Sequence, residues 1–191
     1  MTTTQNVAVG IVALVGLGWA ASRGPATAAL ARQTTATAPK PPALSLALEA
    51  HVQVGTPLDV GAVPRGRRRI VSINGGTFSG PNGLKGRVLP GGADWQIVRA
   101  DGFAELDTRY TLQTDAGQII YVQNAGMRHA APEVMARLNT GQTVDPSLVY
   151  FRTVATFETA APELQWLTRA IIVGTGERYP NDVVVRFWRV E

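Results

Sequence analysis

Two carboxylates, Asp107 and Glu158, and the phenol of Tyr121 are groups with which this chain could take up and return a proton. Arg109, Arg128 and Arg152 could hold the anion or enolate that such a step creates, and Trp95, Trp166, Tyr110 and Tyr121 could wall a cavity around it. Each has a plainer reading, since arginines and carboxylates on adjacent strands commonly pair at a surface, and Tyr and Trp in small β-domains commonly belong to the core. Other chemistries lack their residues. The 191-residue chain has no cysteine, which excludes disulfides, thiolate metal sites and thiol nucleophiles. Its two histidines, His51 and His129, stand far apart with no ligand spacing around either, so no metal site is expected. The Gly75-Gly76 and Gly91-Gly92 pairs open no phosphate-binding motif, no G-x-S-x-G elbow is present, and no cofactor is expected.

The elements that must position these residues are strands. Leu44, Leu46 and Leu48, then Val52 and Val54, recur at intervals of two until Gly55-Thr56-Pro57 interrupts them. The same period predicts strands near 68–78, 84–89, 94–99, 103–114, 118–127, 149–158, 167–173 and 183–190, separated by turn residues such as Pro81-Asn82-Gly83 and Asp101-Gly102. One short helix is predicted at 132–138, with Val134, Met135 and Leu138 along one side. Many strands with hairpin-length connections and one helix predict a mainly β fold over residues 43–191, an antiparallel β-barrel or sandwich, of which the closed barrel leaves no edge strands to protect. The strand at 103–113 has one charged face, Glu105, Asp107 and Arg109, and one apolar face; that at 150–158 sets Tyr150, Arg152 and Glu158 opposite Phe151, Ala155 and Phe157. The charged faces either meet solvent and pair across strands or line a pocket.

Before this domain comes a different kind of sequence. Val7 to Ala21 is uncharged and apolar, and with the preceding threonines it reaches about the 20 residues a helix needs to cross a bilayer. Val7, Ile11, Leu14 and Leu17 would face lipid, and Trp19 suits the interface. Residues 1–22 are therefore read as a single transmembrane-type anchor helix or a signal helix, and 23–42, rich in Ala, Thr and Pro, as a linker. Met1 to Asn6 lacks the positive charge of a secretory signal, while Arg23, Arg32 and Lys40 follow the run. The expectation is a single-pass protein with its barrel on the cytoplasmic side; the alternative is a periplasmic barrel after cleavage. The 18 Lys and Arg exceed the 14 acids only mildly and form no stripe interleaved with aromatics, so nucleic acid is not an expected partner. Arg65, Arg67, Arg68 and Arg69 form the densest cationic cluster, either a solvated loop or a contact for an anionic leaflet or acidic protein.

The stretch from Gly75 to His129, including GGTFSGPNGLKGRVLPGG and ADWQIVRADGFAELDTRYTLQTDAGQIIYVQNAGMRH, resembles the bacterial family catalogued as domain of unknown function 3237. Further matches are AAPEVMARL, YFRT from Tyr150, FET from Phe157 and WLTRAIIVGTGER from Trp166, so the resemblance covers about residues 43–191. It implies a barrel similar to the allene oxide cyclase and dirigent barrels and no established activity; the apolar N-terminal extension departs from the family pattern. Two functions follow as expectations. One is a membrane-tethered, non-catalytic barrel serving as a binding or accessory subunit beside other membrane proteins. The other, drawn from the chemistry of similar barrels, is a cofactor-independent isomerase, cyclase or lyase acting on a small apolar ligand.

Overall fold

The computed structural model describes residues 40–191; the segment read as an anchor or signal helix, with Val7, Ile11, Leu14, Leu17 and Trp19, and most of the linker lie outside the described residues. Among the described residues no helix is long and apolar enough to cross a membrane. Nine strands follow one another: β1 (Leu44–Val54), β2 (Leu58–Val63), β3 (Gly66–Ser79), β4 (Lys85–Val98), β5 (Ala104–Thr114), β6 (Ile119–Ala130), β7 (Val149–Glu158), β8 (Ile172–Arg178) and β9 (Asp182–Val190), with helix α1 (Pro132–Asn139) between β6 and β7.

All pairings are antiparallel, and each strand from β3 to β9 bonds to the next. β1 closes the ring, pairing with β9 from Leu44↔Val190 to Gln53↔Asp182 and with β3 from Glu49↔Ser79 to Val54↔Ile73. The result is a closed eight-stranded barrel of β1 and β3 to β9. β2 stands outside the ring, continuing the β1 edge along the first half of β3 after the break at Gly55 to Pro57.

Element boundaries depart from the sequence expectation where a strand bends. The segments expected at 84–89 and 94–99 are one strand, β4, whose register skips between Leu89 and Ala93 at the Pro90-Gly91-Gly92 bulge. Gly75-Gly76, read as a turn, lies inside β3 at a second skip. Leu58–Val63 is a strand that the alternation did not announce, and the start of the expected 167–173 strand is instead a 3-10 helix, Pro162–Arg169. There Leu164 and Leu167 are three residues apart and both buried, a spacing that one tight helical turn satisfies and a strand does not.

Those two leucines belong to an apolar plug that fills one end of the lumen with Leu48, Phe78, Leu112, Ile120, Ile172 and Phe187, the last edge-on to Phe157 at 5.4 Å between ring centroids. Ala104, Leu106 and Phe151 form a smaller cluster toward the other end. Going along β5, Ala104 and Leu106 lie in the small cluster and Tyr110 and Leu112 in the larger one, leaving a layer at Thr108 between them that Tyr110 borders.

Closure depends on close backbone approach. Gly76 has φ +133°, and a Cβ there would lie 2.0 Å from the His51 carbonyl oxygen across the β1–β3 seam. Gly91, also left-handed at φ +106°, has nothing within 4 Å of that position. Gly76→Ala should therefore cost about 2–4 kcal/mol in urea unfolding through clash plus strain, whereas Gly91→Ala should cost only about 1 kcal/mol through strain alone. Equal losses at the two sites would show that the seam does not depend on that approach.

Candidate functional site

The layer between the two clusters is a cavity of about 150 Å³, roughly the size that accepts one benzene ring. Its two walls differ in chemistry. Val52 and Val54 of β1, Val71 and Ile73 of β3, and Val183 and Val185 of β9 make one wall apolar. Asp94 and Gln96 of β4, Thr108 and Tyr110 of β5, and Asn124 and Arg128 of β6 make the other polar. Arg69 and Arg178 also line it, and Leu138, Asn139 and Gly141, from the end of α1 and the turn after it, border the space.

These side chains meet because they share the inward phase of the pleat. Asp94 pairs directly with Thr108, and Thr108 with Asn124, so three neighbouring strands present one row. Arg128 lies opposite both Ala104 and Phe151, with its guanidinium carbon 5.8 Å from the Phe151 ring centroid.

Asp94 is held by donors: Gln96 Nε2 at 2.6 Å on Oδ2 and the Asp107 backbone N–H at 3.1 Å on Oδ1. Burial nonetheless dominates and holds its carboxyl above the ordinary carboxylate range, against the opposing pull of Gln96, Thr108, Arg128 and the Asp107 amide. Arg69 donates from Nη2 to Gln96 Oε1 at 2.8 Å, which links it to Asp94 through the one glutamine. Burial draws Arg128 down to about 10, helped by the charges of Arg178 and Arg69 and opposed by Asp94. Burial also lowers Arg69 and Arg178, and it raises the Tyr110 hydroxyl. Among the described residues, six buried side-chain polar atoms lack a protein partner, and four of them belong to this cavity: Arg69 Nε, Tyr110 Oη, Asn124 Oδ1 and Arg128 Nε. Such groups cost roughly 1–3 kcal/mol each when left unmet, so their concentration in one place makes this cavity the candidate site.

Of the residues singled out from the sequence, Arg128 and Tyr110 line this cavity, and Arg69 joins them there instead of presenting itself with its neighbours. Arg65 and Arg67 are exposed and paired with Glu105 and Asp59, and Arg68 donates to the Trp95 carbonyl at 2.8 Å. Asp107 and Arg109 lie on the outer face, 3.4 Å apart as an ion pair. Trp95, Arg109 and Tyr121 come together along an outer groove beside the Pro90-Gly91-Gly92 bulge, and Tyr121 and Glu158 border a second outer groove. Arg152 caps the Phe151 carbonyl at 2.9 Å and covers the Tyr150 ring at 5.1 Å, outside the barrel. Trp166 packs against the plug.

Sequence reasoning passed over Asp94, Gln96, Thr108, Asn124 and Arg178. The signal that could have found most of them is a polar residue in the apolar phase of a strand. Thr108 falls between Leu106 and Tyr110, Asn124 follows Ile120 and Val122, and Arg69 precedes Val71 and Ile73. A polar side chain in that phase points into the lumen, where it must be satisfied or used.

The raised pKa of Asp94 has a thermodynamic consequence. Between the unfolded value near 3.8 and the higher folded value, the folded chain binds a proton that the unfolded chain has lost, so stability falls as pH rises through that window. The penalty grows from the unfolded value upward until the folded value is passed. Asp94→Asn should therefore melt higher than the parent at pH 7, by roughly 2–5 °C, with the gap narrowing as the pH is lowered toward 4. Calorimetric melts across pH check this, and a gap that widens on acidification would contradict the sign.

A family model described as "Protein of unknown function (DUF3237)" matches residues 42–190. A UPF0311 protein of Rhodopseudomonas palustris is 41% identical over 133 residues, 70% of this chain and 86% of that protein, and one of Clostridium acetobutylicum is 42% identical over 125 residues, 65% and 78%. The crystal structure of a conserved protein of unknown function from Rhodopseudomonas palustris superposes with TM-score 0.75 at 35% identity, covering 80% of this chain and 99% of that one. A β-barrel-like protein of Acinetobacter baumannii gives 0.70 at 39% identity, covering 80% and 98%. A chain described as an enzyme from Penicillium herquei shares the fold alone, with TM-score 0.60 at 22% identity over 81% and 98%. The match takes in every strand of the barrel, and the chain belongs to the DUF3237 family, whose members here carry the name UPF0311 and no established function.

Proposed function

We propose that the barrel is a cofactor-independent isomerase, cyclase or lyase that moves a proton within a small, largely apolar molecule. The observation that carries this reading is the convergence of Asp94 with the unpartnered Tyr110 Oη, Asn124 Oδ1 and Arg128 Nε in one small cavity whose opposite wall is valine and isoleucine. A carboxyl whose pKa burial holds above its ordinary value is a stronger base than a solvated one once ionised, and is suited to taking a proton from carbon and returning it elsewhere. The Tyr110 hydroxyl, held protonated by burial, would donate to the oxygen on which enolate charge develops, and Arg128 would offset that charge in a low-dielectric setting. No electron leaves the substrate in such a step; a C–H bond breaks, the pair shifts toward oxygen, and the proton is given back to carbon or to a leaving group.

The reading is tested by following deuterium exchange from solvent into the carbon beside the carbonyl of small aryl ketones and phenylpyruvate by proton NMR. The parent protein should accelerate exchange, Asp94→Asn should lower the rate by about 10²–10⁴-fold, and Tyr110→Phe should lower it by about tenfold. Asp107→Asn, on the outer face, should leave it unchanged. Parent and Asp94→Asn proteins exchanging alike would end the proposal.

The tethered accessory-subunit reading is kept on one observation, the apolar run from Val7 to Ala21, together with the basic residues that follow it. Its test is extraction of native membranes in mild detergent: membrane-protein subunits should co-purify with the chain, and recovery of the chain alone would count against it.

A further inference from the structure

Resting on the reading of this cavity as a substrate site, we infer that its ligand is a small carboxylate, a monoanion about the size of one six-membered ring with its acid group against Arg128 and its ring against the valine wall. Three guanidiniums, those of Arg69, Arg128 and Arg178, line the cavity against one carboxylate, Asp94. Two of the three are already engaged. Arg69 spends Nη2 on Gln96, and Arg178 spends Nη1 on the carbonyls of Tyr179 and Pro180. Arg128 is only 5% exposed, stacks its cation over Phe151, and its Nε finds no acceptor in the protein. A buried cation without an acceptor is stable only if something supplies the negative charge, and a planar carboxylate matches the edge of a guanidinium with two parallel hydrogen bonds.

The rest of the cavity narrows the class. A phosphate or sulfate presents oxygen in every direction, and half of its surface would be pressed against Val52, Val71, Val183 and Val185 with nothing to bond. A flat ring or short branched hydrocarbon meets that wall favourably, and the volume of about 150 Å³ limits it to roughly one ring. Tyr110 Oη, as a donor, then suits a carbonyl or hydroxyl oxygen on the ligand, and Asn124 Oδ1, an acceptor, suits a hydroxyl. The excess of cations over carboxylates also favours an anion over a neutral molecule of the same shape.

Isothermal titration of the full-length chain with benzoate, benzamide and inorganic phosphate tests this directly. Benzoate should bind at least about tenfold more tightly than benzamide and than phosphate, and Arg128→Gln should erase about tenfold of the benzoate affinity while leaving benzamide unchanged. Equal affinity for acid and amide would overturn the inference, and so would phosphate binding as tightly as benzoate or an Arg128→Gln protein that binds benzoate normally. Should Arg128→Gln not fold, as judged by circular dichroism, Arg128→Lys carries the same criterion, because it keeps the cation and loses the two parallel hydrogen bonds. Benzoate binding in a protein that exchanges no carbon-bound hydrogen supports the ligand class and defeats the proton-transfer reading. Exchange on neutral ketones with no preference for acids does the reverse.

Discussion

Closing the sheet through β1, which bonds to β9 along one edge and β3 along the other, leaves each strand of the ring with an inside and an outside that cannot be exchanged singly. A slip of one residue anywhere would turn a buried row to solvent and a charged row into the lumen, and seven neighbouring strands would oppose it. The seam tolerates this only because Gly76 lets the β3 backbone come up against the His51 carbonyl. With that ring shut, inward residues on β3, β4, β5, β6 and β8 converge although they are far apart in the chain.

Within the ring the lumen is divided by axial position. Leu48, Leu112, Ile120, Ile172 and Phe187 are all essentially inaccessible, and each such side chain contributes roughly 1.5–3 kcal/mol by leaving water. The layer above them does the opposite, holding buried guanidiniums, a carboxyl out of its usual range and hydroxyl and amide groups without protein partners. A stable plug beneath a costly polar layer is the arrangement expected where a fold gives up stability to keep groups ready for a ligand. The 3-10 helix at Pro162–Arg169 serves the plug, and α1 with its following turn serves the cavity.

The same residue types behave differently on the two sides of the wall. Outside, Asp107 with Arg109, Asp59 with Arg67 and Glu105 with Arg65 pair in water, where an ion pair is worth about 0–1 kcal/mol and carries no chemical demand. Inside, Asp94 and Arg128 have lost most of their hydration, so their charges act on each other and on an occupant with little screening. The DUF3237 relatives place the fold without assigning it work, and the chemical case therefore rests on this inner layer.

Alternation by itself was enough to establish a mainly β chain and most of the strand positions, because the pleat makes every other residue apolar wherever one face is buried; it left an antiparallel barrel or sandwich, and the family resemblance pointed to the barrel. Composition by itself removed thiol chemistry, since there is no cysteine to perform it. It could not say that β4 runs unbroken through Pro90-Gly91-Gly92 or that Gly75-Gly76 sits within β3, for a bulge and a turn use the same glycines and differ only in where the chain goes next. Nor could it choose between the charged row of β5 and the isolated Asp94, Asn124 and Arg128 as the polar residues that matter. That choice belongs to the tertiary structure, because which phase of each strand faces the lumen, and which strands stand side by side around it, is settled only when the ring closes.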